Sequence, residues 1–521
     1  MTPALVHRYL DALPGDATGG HHPRVVEHAA YSLVEPTPVR APSLLAWSDA
    51  LAKDFGLARP DTTDSSWLDV LAGNRRWPGT RPYANCYGGH QFGHWAGQLG
   101  DGRAITLGEF IDRSGRIHEF QLKGAGPTPY SRGADGRAVL RSSLREFICS
   151  EAMHALGVPT TRALSLVATG EQVVRDMFYD GHPAPEPGAI VCRVAPSFLR
   201  LGSYELPAAR GDHDLLRRMV QYTISEHEPT IDPQSPEAVS QWFDAVCRRT
   251  AALVVEWTRV GFVHGVMNTD NLSIHGLTID YGPYGWLEPY EPNWTPNTTD
   301  AQMRRYCFGR QPSIAQWNLS RFGGALAPLV DNTEALEAGL ERYAQVYEAS
   351  ARQMYADKLG LAALEGAEDE ALLSDLFKLM QQTETDYCLF FRCLAEVPAE
   401  GAPDSLRALF EPAYYRADDL RGPVGDALLA WLARYQARIG RHPSEQRREA
   451  MNAVNPLYVP RNYLAQQAIE AAEQGDLSEL ERLCAVLSQP YSAQPGAARY
   501  AARRPDWARH RPGCAALSCS S

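Results

Sequence analysis

Two oxygen-bearing side chains mark the stretch "HGVMNTDNLSIHGLTIDYG", residues 264–282. Asn271 supplies an amide oxygen and Asp280 supplies a carboxylate. Oxygen ligands of these kinds are the ones that a hard cation such as Mg²⁺ takes in proteins. The stretch therefore predicts a site for a divalent cation.

The spacing of this stretch matches a signature of small-molecule phosphotransferases, H-G-D-x-x-x-x-N followed by D-[FY]-G. His264, Gly265 and Asn271 fall in register with the first part, and the run "DYG" from Asp280 supplies the second. Val266 occupies the position of the Asp that serves as base in those enzymes. Two alternatives follow: the chain binds a nucleotide without catalysis, or its base lies elsewhere.

A short hairpin would position the two cation ligands. If His275 and Gly276 form a two-residue turn between "LSI" and "LTI", position 271 pairs with position 280. Directly opposed residues have Cβ atoms about 4.5–5.5 Å apart on the same side of a ladder, so Asn271 and Asp280 could hold one cation. The alternative is a hairpin with ordinary polar ends.

A lysine and a glutamate upstream form a second candidate group. Alternation in "IHEFQLKGAG" puts Phe120 and Leu122 on one face of a strand, and Gln121 and Lys123 on the other. The helix that follows, "VLRSSLREFICSEAMHALG", carries Glu146 beside an apolar stripe. Kinases use a strand Lys and a helix Glu to fix an ammonium against phosphates. Either residue alone is typical of a solvated surface, but their order before the metal motif favours the pair.

Glycine-rich turns and two arginines could supply further phosphate contacts. Backbone N–H groups in such turns approach phosphate closely, and a guanidinium offers paired donors. No G-K-[ST] follows either loop, so neither is a Walker A sequence, and ordinary hairpin turns are the alternative. The candidates are Gly100, Gly102 and Arg103 in "GGHQFGHWAGQLGDGRAITLGE", Asp135 and Gly136 in "RGADGRAVL", and Arg193 and Arg200 in "VCRVAPSFLRLGSYE".

Composition excludes several classes of protein. A chain of 521 residues with 44% apolar content can bury a large core. A net charge of −12 argues against nucleic acid as the main partner. The sequence has no signal-peptide pattern and no 18-residue apolar run, which favours a soluble, cytoplasmic protein with no membrane partner. The ten Cys include no C-x-x-C pair, so neither a zinc site nor a disulfide scaffold is indicated.

The order of the elements predicts an α+β fold of protein-kinase-like, two-lobe type, with a mixed, β-rich N-lobe and a helical C-lobe. Residues 1–80 are expected to pack as an N-terminal extension on the kinase-like core. Residues 81–205 form the nucleotide-binding N-lobe, and residues 206–330 form the C-lobe with the metal motif. Residues 331–521 form an additional helical C-terminal region, in which apolar residues recur every three to four positions. The Pro-rich segment "GHPAPEPGA" predicts a surface loop.

Taken together, these motifs resemble the selenoprotein O family of protein adenylyltransferases, which includes the bacterial YdiU group. The resemblance covers most of the chain and is much more specific than any single motif. It is carried by "YGGHQFGHWAGQLGDGRA", "QLKGAGPTPYSR", "ADGRAVLRSSLREF", "NTDNLSI", "IDYGP", "NPLYVPRN" and the terminal "SCSS".

The resemblance implies a pseudokinase fold that binds ATP in a reversed orientation and transfers AMP to protein hydroxyls, with release of pyrophosphate. It implies Mg²⁺ or Mn²⁺ at Asn271 and Asp280, Asp270 as base and Glu146 as partner of the Lys. The base would then have moved along the loop, the alternative being that Asp270 only forms a turn in "NTDN". The implied ATP contacts are Gly100, Gly102, Arg103, Lys123, Asp135, Gly136, Arg193, Arg200 and Asp280.

Three hypotheses remain at this point. The first is AMP transfer to Ser, Thr or Tyr of other proteins or of the chain itself, with UTP as a further donor. The second is a phosphotransferase of ordinary polarity, which would require Asp at position 266. The third is a silent nucleotide-binding pseudokinase, which an intact set of metal ligands disfavours.

The tail adds a redox hypothesis. In this family the position of Cys519 carries a redox-active Cys or selenocysteine, and terminal segments move unless they are tied down. Pairing of Cys519 with Cys307 under oxidising conditions is the hypothesis, with Cys514 as the rival partner. Unpaired thiols are the alternative.

Overall fold

A sheet of mostly antiparallel strands organises the N-terminal part of the chain. The computed structural model describes residues 3–60, 66–440 and 444–518. The strands are β1 (Leu5–Val6), β2 (Gly15–Asp16), β3 (Tyr31–Leu33), β4 (Ser43–Trp47), β5 (Tyr83–Asn85), β6 (Gly88–Gln91), β7 (His94–Gln98), β8 (Ala104–Ile111), β9 (Ile117–Lys123), β10 (Ala138–Val139), β11 (Arg162–Arg175), β12 (Ala184–Ala195), β13 (Phe262–Val263) and β14 (Gly285–Trp286).

The main sheet runs in the order β2-β3-β5-β8-β9-β12-β11-β4, with β1 beside β8 and β10 beside β12. Strands from the first 80 residues therefore belong to the same sheet as the strands that follow. The predicted alternation of β9 is confirmed, because Phe120 and Leu122 are buried in the apolar core on one face. The other face carries Gln121 and Lys123, which bond to polar partners. A separate hairpin of β6 and β7 stands beside the sheet.

Helices make up most of the chain after β12. They are α1 (Arg8–Ala12), α2 (Asp49–Phe55), α3 (Ser66–Leu71), α4 (Leu140–Ala155), α5 (Leu201–Ala209), α6 (His213–His227), α7 (Ala238–Val260), α8 (Gln311–Leu326), α9 (Glu334–Leu359), α10 (Gly366–Met380), α11 (Tyr387–Ala395), α12 (Pro403–Phe410), α13 (Pro423–Ile439), α14 (Ser444–Val454), α15 (Asn462–Glu473) and α16 (Ser478–Leu487). Among the helices of the described residues, none is both long and apolar enough to cross a bilayer.

Helix α4 lies between the sheet and the end of the chain. Leu144, Phe147 and Ile148 are buried on its apolar stripe, and the chain leaves the helix at Gly157, whose φ of 77° favours glycine. Helices α15 and α16 pack against α4 and share its core. The protein thus has the predicted α+β arrangement of a mixed sheet lobe and a helical lobe, extended by C-terminal helices.

Two local predictions were wrong. The two-residue hairpin at His275 and Gly276 does not form, because Leu272 pairs with Thr278 and not with position 279. Thr278 is held by a neighbouring segment, since its Oγ1 donates to the Pro159 carbonyl at 2.9 Å. The segment "GHPAPEPGA" is not a loop throughout, because β12 begins at Ala184 within it. Pro185 and Pro187 pair only with β11, and β9 pairs with β12 only from Val191 onward. A proline is tolerated in a strand where its missing N–H group is not needed for a ladder hydrogen bond.

Candidate active site

A cleft of about 690 Å³ lies between the sheet and residues 266–283. Its walls come from β9, from the glycine turns and from the metal stretch, so residues far apart in the sequence meet there. Arg200 and Glu146 are almost fully buried behind the walls and bond to residues that line them. The predicted residues that line the cleft are Gly100, Gly102, Arg103, Lys123, Asp135, Gly136, Arg193, Asp270, Asn271 and Asp280.

The lysine and glutamate form an ion pair, as the sequence predicts. Lys123 Nζ donates to Glu146 Oε2 at 2.5 Å. Burial lowers the pKa of Lys123, and the Glu146 carboxylate opposes that effect. Glu146 also accepts from Arg193 Nη1 at 3.2 Å, so this carboxylate holds two cations.

The register of the sheet explains why Arg193 reaches this group. Arg193 on β12 pairs directly with Gln121 on β9, and directly opposed side chains point to the same side. The guanidinium accordingly donates to the Gln121 side-chain oxygen. The polar face that begins with Lys123 therefore continues onto the next strand.

Both predicted arginines converge on Asp280. Arg193 Nη1 donates to Asp280 Oδ1 at 2.6 Å, and Arg200 Nη1 donates to Asp280 Oδ2. Although burial opposes ionisation, the cations Arg200, Arg193 and Lys123 hold the pKa of this carboxyl well below its usual range. The neighbouring cations therefore favour the ionised form of Asp280 in the cleft.

Several donors of the cationic side chains remain unused. Arg193 Nε and Arg200 Nη2 are buried without a hydrogen-bond partner among the described residues. Arg103 lines the cleft half-buried, and the described residues provide it with no carboxylate partner. Buried donors without partners cost free energy, and of these three arginines Arg193 and Arg103 line the cleft, where they are suited to receive phosphate oxygens.

Asp270 lies on a short 3-10 turn, Thr269–Asn271, at the bottom of the cleft. Gln91 Nε2 donates to its Oδ2 at 3.1 Å, whereas its Oδ1 is buried and has no partner among the residues described. Burial raises the pKa of Asp270 to about 7, against the hydrogen bond from Gln91. A carboxylate with one fixed oxygen and one free oxygen is arranged to accept a proton.

Sequence reasoning missed the hairpin of β6 and β7, which covers this turn. His90 N donates to Thr269 Oγ1 at 2.7 Å, and Phe92 N donates to Asn268 Oδ1 at 3.2 Å. A Cβ at Gly89 would stand 2.6 Å from Asp270 Oδ1, so only glycine allows this approach. The two glycines that precede His90 were a signal of close backbone contact, but they did not say with which partner.

The donor set at Asn271 and Asp280 fits a hard cation. Asn271 Nδ2 donates to the Val266 carbonyl at 3.0 Å, which orients the amide and leaves its oxygen without a donor among the described residues. Both side chains line the cleft. In the described part of the chain, no group of three or more His, Cys, Asp or Glu side chains is arranged to hold a metal ion. This is compatible with Mg²⁺, which is often held by one or two protein ligands together with substrate phosphates and water.

The predicted glycine turns line the cleft, but packing already accounts for their glycines. A Cβ at Gly100 would stand 2.3 Å from the Tyr130 ring, and one at Gly136 would stand 2.1 Å from the Gly126 carbonyl carbon. Asp135 is exposed and forms an ion pair with Arg175 at 2.7 Å. Arg175 also lines the cleft and was not among the predicted residues.

The end of the chain returns towards this region. Leu517 N donates to the Pro296 carbonyl at 2.9 Å, and Ser518 Oγ donates to the Met177 carbonyl. Cys307 and Cys514 are buried and form no disulfide with another of the described cysteines. Cys519, the residue of the disulfide hypothesis, lies outside the described residues, so that hypothesis stays a prediction.

Comparison with known proteins places the chain in one family. The family model described as "Protein adenylyltransferase SelO" matches residues 20–488. A protein named nucleotidyltransferase YdiU from Nitrosospira multiformis is 57% identical over 99% of this chain and 96% of its own length. A YdiU protein from Azoarcus sp. is 58% identical over 99% of both chains.

A solved structure of ROP2 from Toxoplasma gondii is also similar. It is described as a virulence factor with a protein-kinase fold and no enzymatic activity, and it is 14% identical over 73% of this chain and 92% of its own. Its TM-score of 0.24 is too low to support an argument. The family match and the YdiU relatives span nearly the whole sequence, and on that ground the chain belongs to the SelO family of protein adenylyltransferases.

Proposed function

We propose that this protein transfers AMP from ATP to hydroxyl groups of protein side chains and releases pyrophosphate. The observation that carries the proposal is the state of Asp270. Asp270 lines a cleft that also holds cationic side chains, and its buried Oδ1 accepts no hydrogen bond from the described residues, whereas the position of the kinase base holds Val266. Membership of a family of protein adenylyltransferases supports the same reaction.

In the proposed step, Asp270 takes the proton of the acceptor hydroxyl while the hydroxyl oxygen attacks the α-phosphorus of ATP. The new bond joins that oxygen to the α-phosphorus, and the bond from the α-phosphorus to the bridging oxygen breaks. The electron pair leaves with pyrophosphate. Because a hydroxyl is a weak nucleophile near neutral pH, the step needs both the base and cations that stabilise the departing charge.

The cleft residues receive proposed roles on the basis of their positions. Lys123, Arg193 and Arg200 would neutralise the departing phosphates, and Arg103 would add a fourth cation. Glu146 would orient Lys123 and Arg193. Bound Mg²⁺, or Mn²⁺, would draw charge from the phosphates. Asn271 and Asp280 would hold that cation, and the backbone at Gly100, Gly102, Asp135 and Gly136 would contact ATP.

The proposal extends to the organisation of the chain. We assign nucleotide binding to residues 81–205, the base and cation ligands to residues 206–330, and supporting roles to residues 1–80 and 331–521. UTP is a second donor under this proposal, and Ser, Thr and Tyr are all candidate acceptors, on other proteins or on the chain itself. Use of ATP favours a cytoplasmic location.

Labelled ATP tests the direction of transfer. The protein is incubated with Mg²⁺ and with ATP labelled at either the α- or the γ-phosphate, with and without a mixture of acceptor proteins. We expect protein-bound label from α-labelled ATP only, together with free pyrophosphate. Protein-bound label from γ-labelled ATP would make the chain an ordinary phosphotransferase, and nucleotide binding without either label would make it a silent pseudokinase.

A further inference from the structure

A tryptophan that two arginines contact lies near the hairpin that covers the Asp270 turn. The Arg305 guanidinium carbon stands 4.6 Å from the centre of the Trp317 ring, and that of Arg321 stands 5.3 Å from it. Trp317 and Arg321 both belong to α8, one turn apart, and Arg305 precedes that helix. We call these three residues the Arg-Trp patch.

Among the described residues, no carboxylate forms a salt bridge with the Arg305 or Arg321 guanidinium, although Asp300 and Glu205 lie close enough to interact with them electrostatically. Arg305 Nε and Nη2 are buried without a hydrogen-bond partner, and Arg321 Nε reaches only Ser320 Oγ at 3.4 Å. Glu205 is committed to His90 Nδ1 at 2.6 Å. In a protein with a net charge of −12, two adjacent arginines without a carboxylate partner favour an anion supplied from outside.

The hairpin of β6 and β7 connects the Arg-Trp patch to Asp270. Gln91 on this hairpin donates to Asp270. Two residues later, a side chain at Gly93 would begin 3.5 Å from the Arg305 guanidinium carbon. The His90 ring also meets Trp317 edge-on at 5.6 Å. The base and the patch therefore contact the same turn of the hairpin.

We propose that the Arg-Trp patch binds an acidic side chain of the acceptor protein and so selects which hydroxyl is modified. Gln91 contacts Asp270 and Gly93 lies against Arg305, two positions apart on the hairpin, so an extended acceptor chain lying beside the hairpin would carry the carboxylate a few residues from the acceptor hydroxyl. The acceptor class is then a Ser, Thr or Tyr with Asp or Glu nearby. This inference rests on the proposed AMP transfer.

Peptide binding tests the patch without requiring transfer. Fluorescein-labelled peptides that contain Ser and differ only in Glu or Gln three residues away are titrated with the full chain, in the presence of a non-hydrolysable ATP analogue. We expect the Glu peptide to bind about tenfold more tightly, the size of one charge-assisted hydrogen bond. Equal affinities for the two peptides would overturn the inference.

Variants of the exposed Arg321 make the test specific. Arg321→Gln should remove most of the preference, and Arg321→Glu should reverse it towards a Lys peptide. Arg217→Gln is the matched control, because Arg217 is an exposed arginine on α6 with a local partner, Asp214. A preference that survives in both Arg321 variants would exclude the patch.

Transfer from α-labelled ATP separates this inference from the proposed function. Label on the Glu and Gln peptides to equal extents would overturn the role of the patch and leave AMP transfer supported. A clear Glu preference in binding, with no label on any peptide or on the protein itself, would contradict AMP transfer and support the patch as a peptide site.

Discussion

Two aspartates in the same cleft have opposite environments. Burial raises the pKa of Asp270 to about 7, against the hydrogen bond from Gln91 and the positive charge of Arg200. Asp280 is only partly buried, with 20% of its side chain exposed, and two guanidinium groups hold its pKa well below the usual range. Environments that separate the pKa values of neighbouring carboxyls also separate their roles. Asp270 can exchange a proton, whereas Asp280 can only attract cations.

The first prediction separates these roles. Asp270→Asn should lower AMP transfer at least about 100-fold, the usual contribution of a general base, and leave ATP affinity within about twofold. Asp280→Asn should lose Mg²⁺-dependent ATP binding and transfer together. Calorimetric titration with an ATP analogue and transfer of α-label measure the two quantities. Equal loss of ATP affinity in both variants would contradict the division.

The second prediction concerns Lys123 and Glu146. The sequence alone suggested that Glu146 only orients the lysine, but Glu146 also pairs with Arg193. Glu146→Gln therefore leaves Lys123 without its anion and Arg193 with Asp280 alone, which should cost about 3 kcal/mol of unfolding free energy. Lys123→Ala leaves Glu146 paired with Arg193 and should mainly weaken ATP positioning. Urea unfolding and transfer rates compare the two, and a smaller loss of stability in Glu146→Gln than in Lys123→Ala would refute it.

At the scale of elements, the sequence correctly predicted those strands and helices whose pattern of apolar and polar residues is local in the chain. Alternation identified β9 and its polar face, and the apolar stripe identified α4. The turn at His275 was mispredicted because its backbone partners, Arg200 and Pro159, lie far away in the sequence. The contact between Gln91 and Asp270 was invisible for the same reason, since no local pattern says where a hairpin docks.

The third prediction tests this hairpin. Gln91→Leu keeps the bulk of the side chain but removes the donor that fixes Asp270 Oδ2. We expect kcat to fall about tenfold, in line with the loss of one hydrogen bond to a charged group, with ATP affinity and melting temperature nearly unchanged. His94→Ala is the control, because His94 is exposed on the same hairpin. A similar fall of kcat in both variants would indicate general damage to the hairpin.

The fourth prediction concerns two glutamates that face each other across β8 and β9. Glu109 and Glu119 are direct partners and both are buried. Burial raises the pKa of Glu109 to about 7 and that of Glu119 well above its ordinary value. Protonation of Glu109 therefore favours the folded state, and this contribution to stability is lost as pH rises from about 4.5 to about 7.

Substitution of Glu109 exposes this dependence. The unfolding free energy of Glu109→Gln minus that of the parent protein should rise by on the order of 2 kcal/mol from pH 5 to pH 8. The parent loses stability over this range and the variant does not, and one pKa unit corresponds to about 1.4 kcal/mol. Urea unfolding at the two pH values measures the change. A difference between variant and parent that does not vary with pH would show that Glu109 ionises normally.

At the scale of the whole molecule, the end of the chain supports the cleft. Helices α15 and α16 cover the side of α4 that faces away from the sheet, and α4 carries Glu146. The motif "NPLYVPRN" leads into α15 and ends with Arg461 and Asn462. The spacing of residues in this motif did not indicate a function, and its structural role, an ion pair made by Arg461, is seen only in the folded structure.

Arg461 forms a buried, two-pronged pair with Asp386. Its Nη1 and Nη2 donate to the two carboxylate oxygens at 2.7 and 3.0 Å. The same carboxylate accepts from Leu389 N at 3.0 Å and so caps the N-terminus of α11. This pair joins the helical lobe to the helices behind α4.

The last prediction tests this connection with a double-mutant cycle. Arg461→Met leaves a buried carboxylate without its cation and should cost about 3–5 kcal/mol of unfolding free energy, as should Asp386→Ala. The double variant should cost clearly less than the sum of the two, because the second substitution removes a charge that the first left unpaired. Transfer activity should fall as the folded fraction of each variant falls, while the molecules that remain folded should keep the ATP affinity of the parent protein. Additive losses would mean that the two residues stabilise the protein independently and that the pair does not join the C-terminal helices to the lobe.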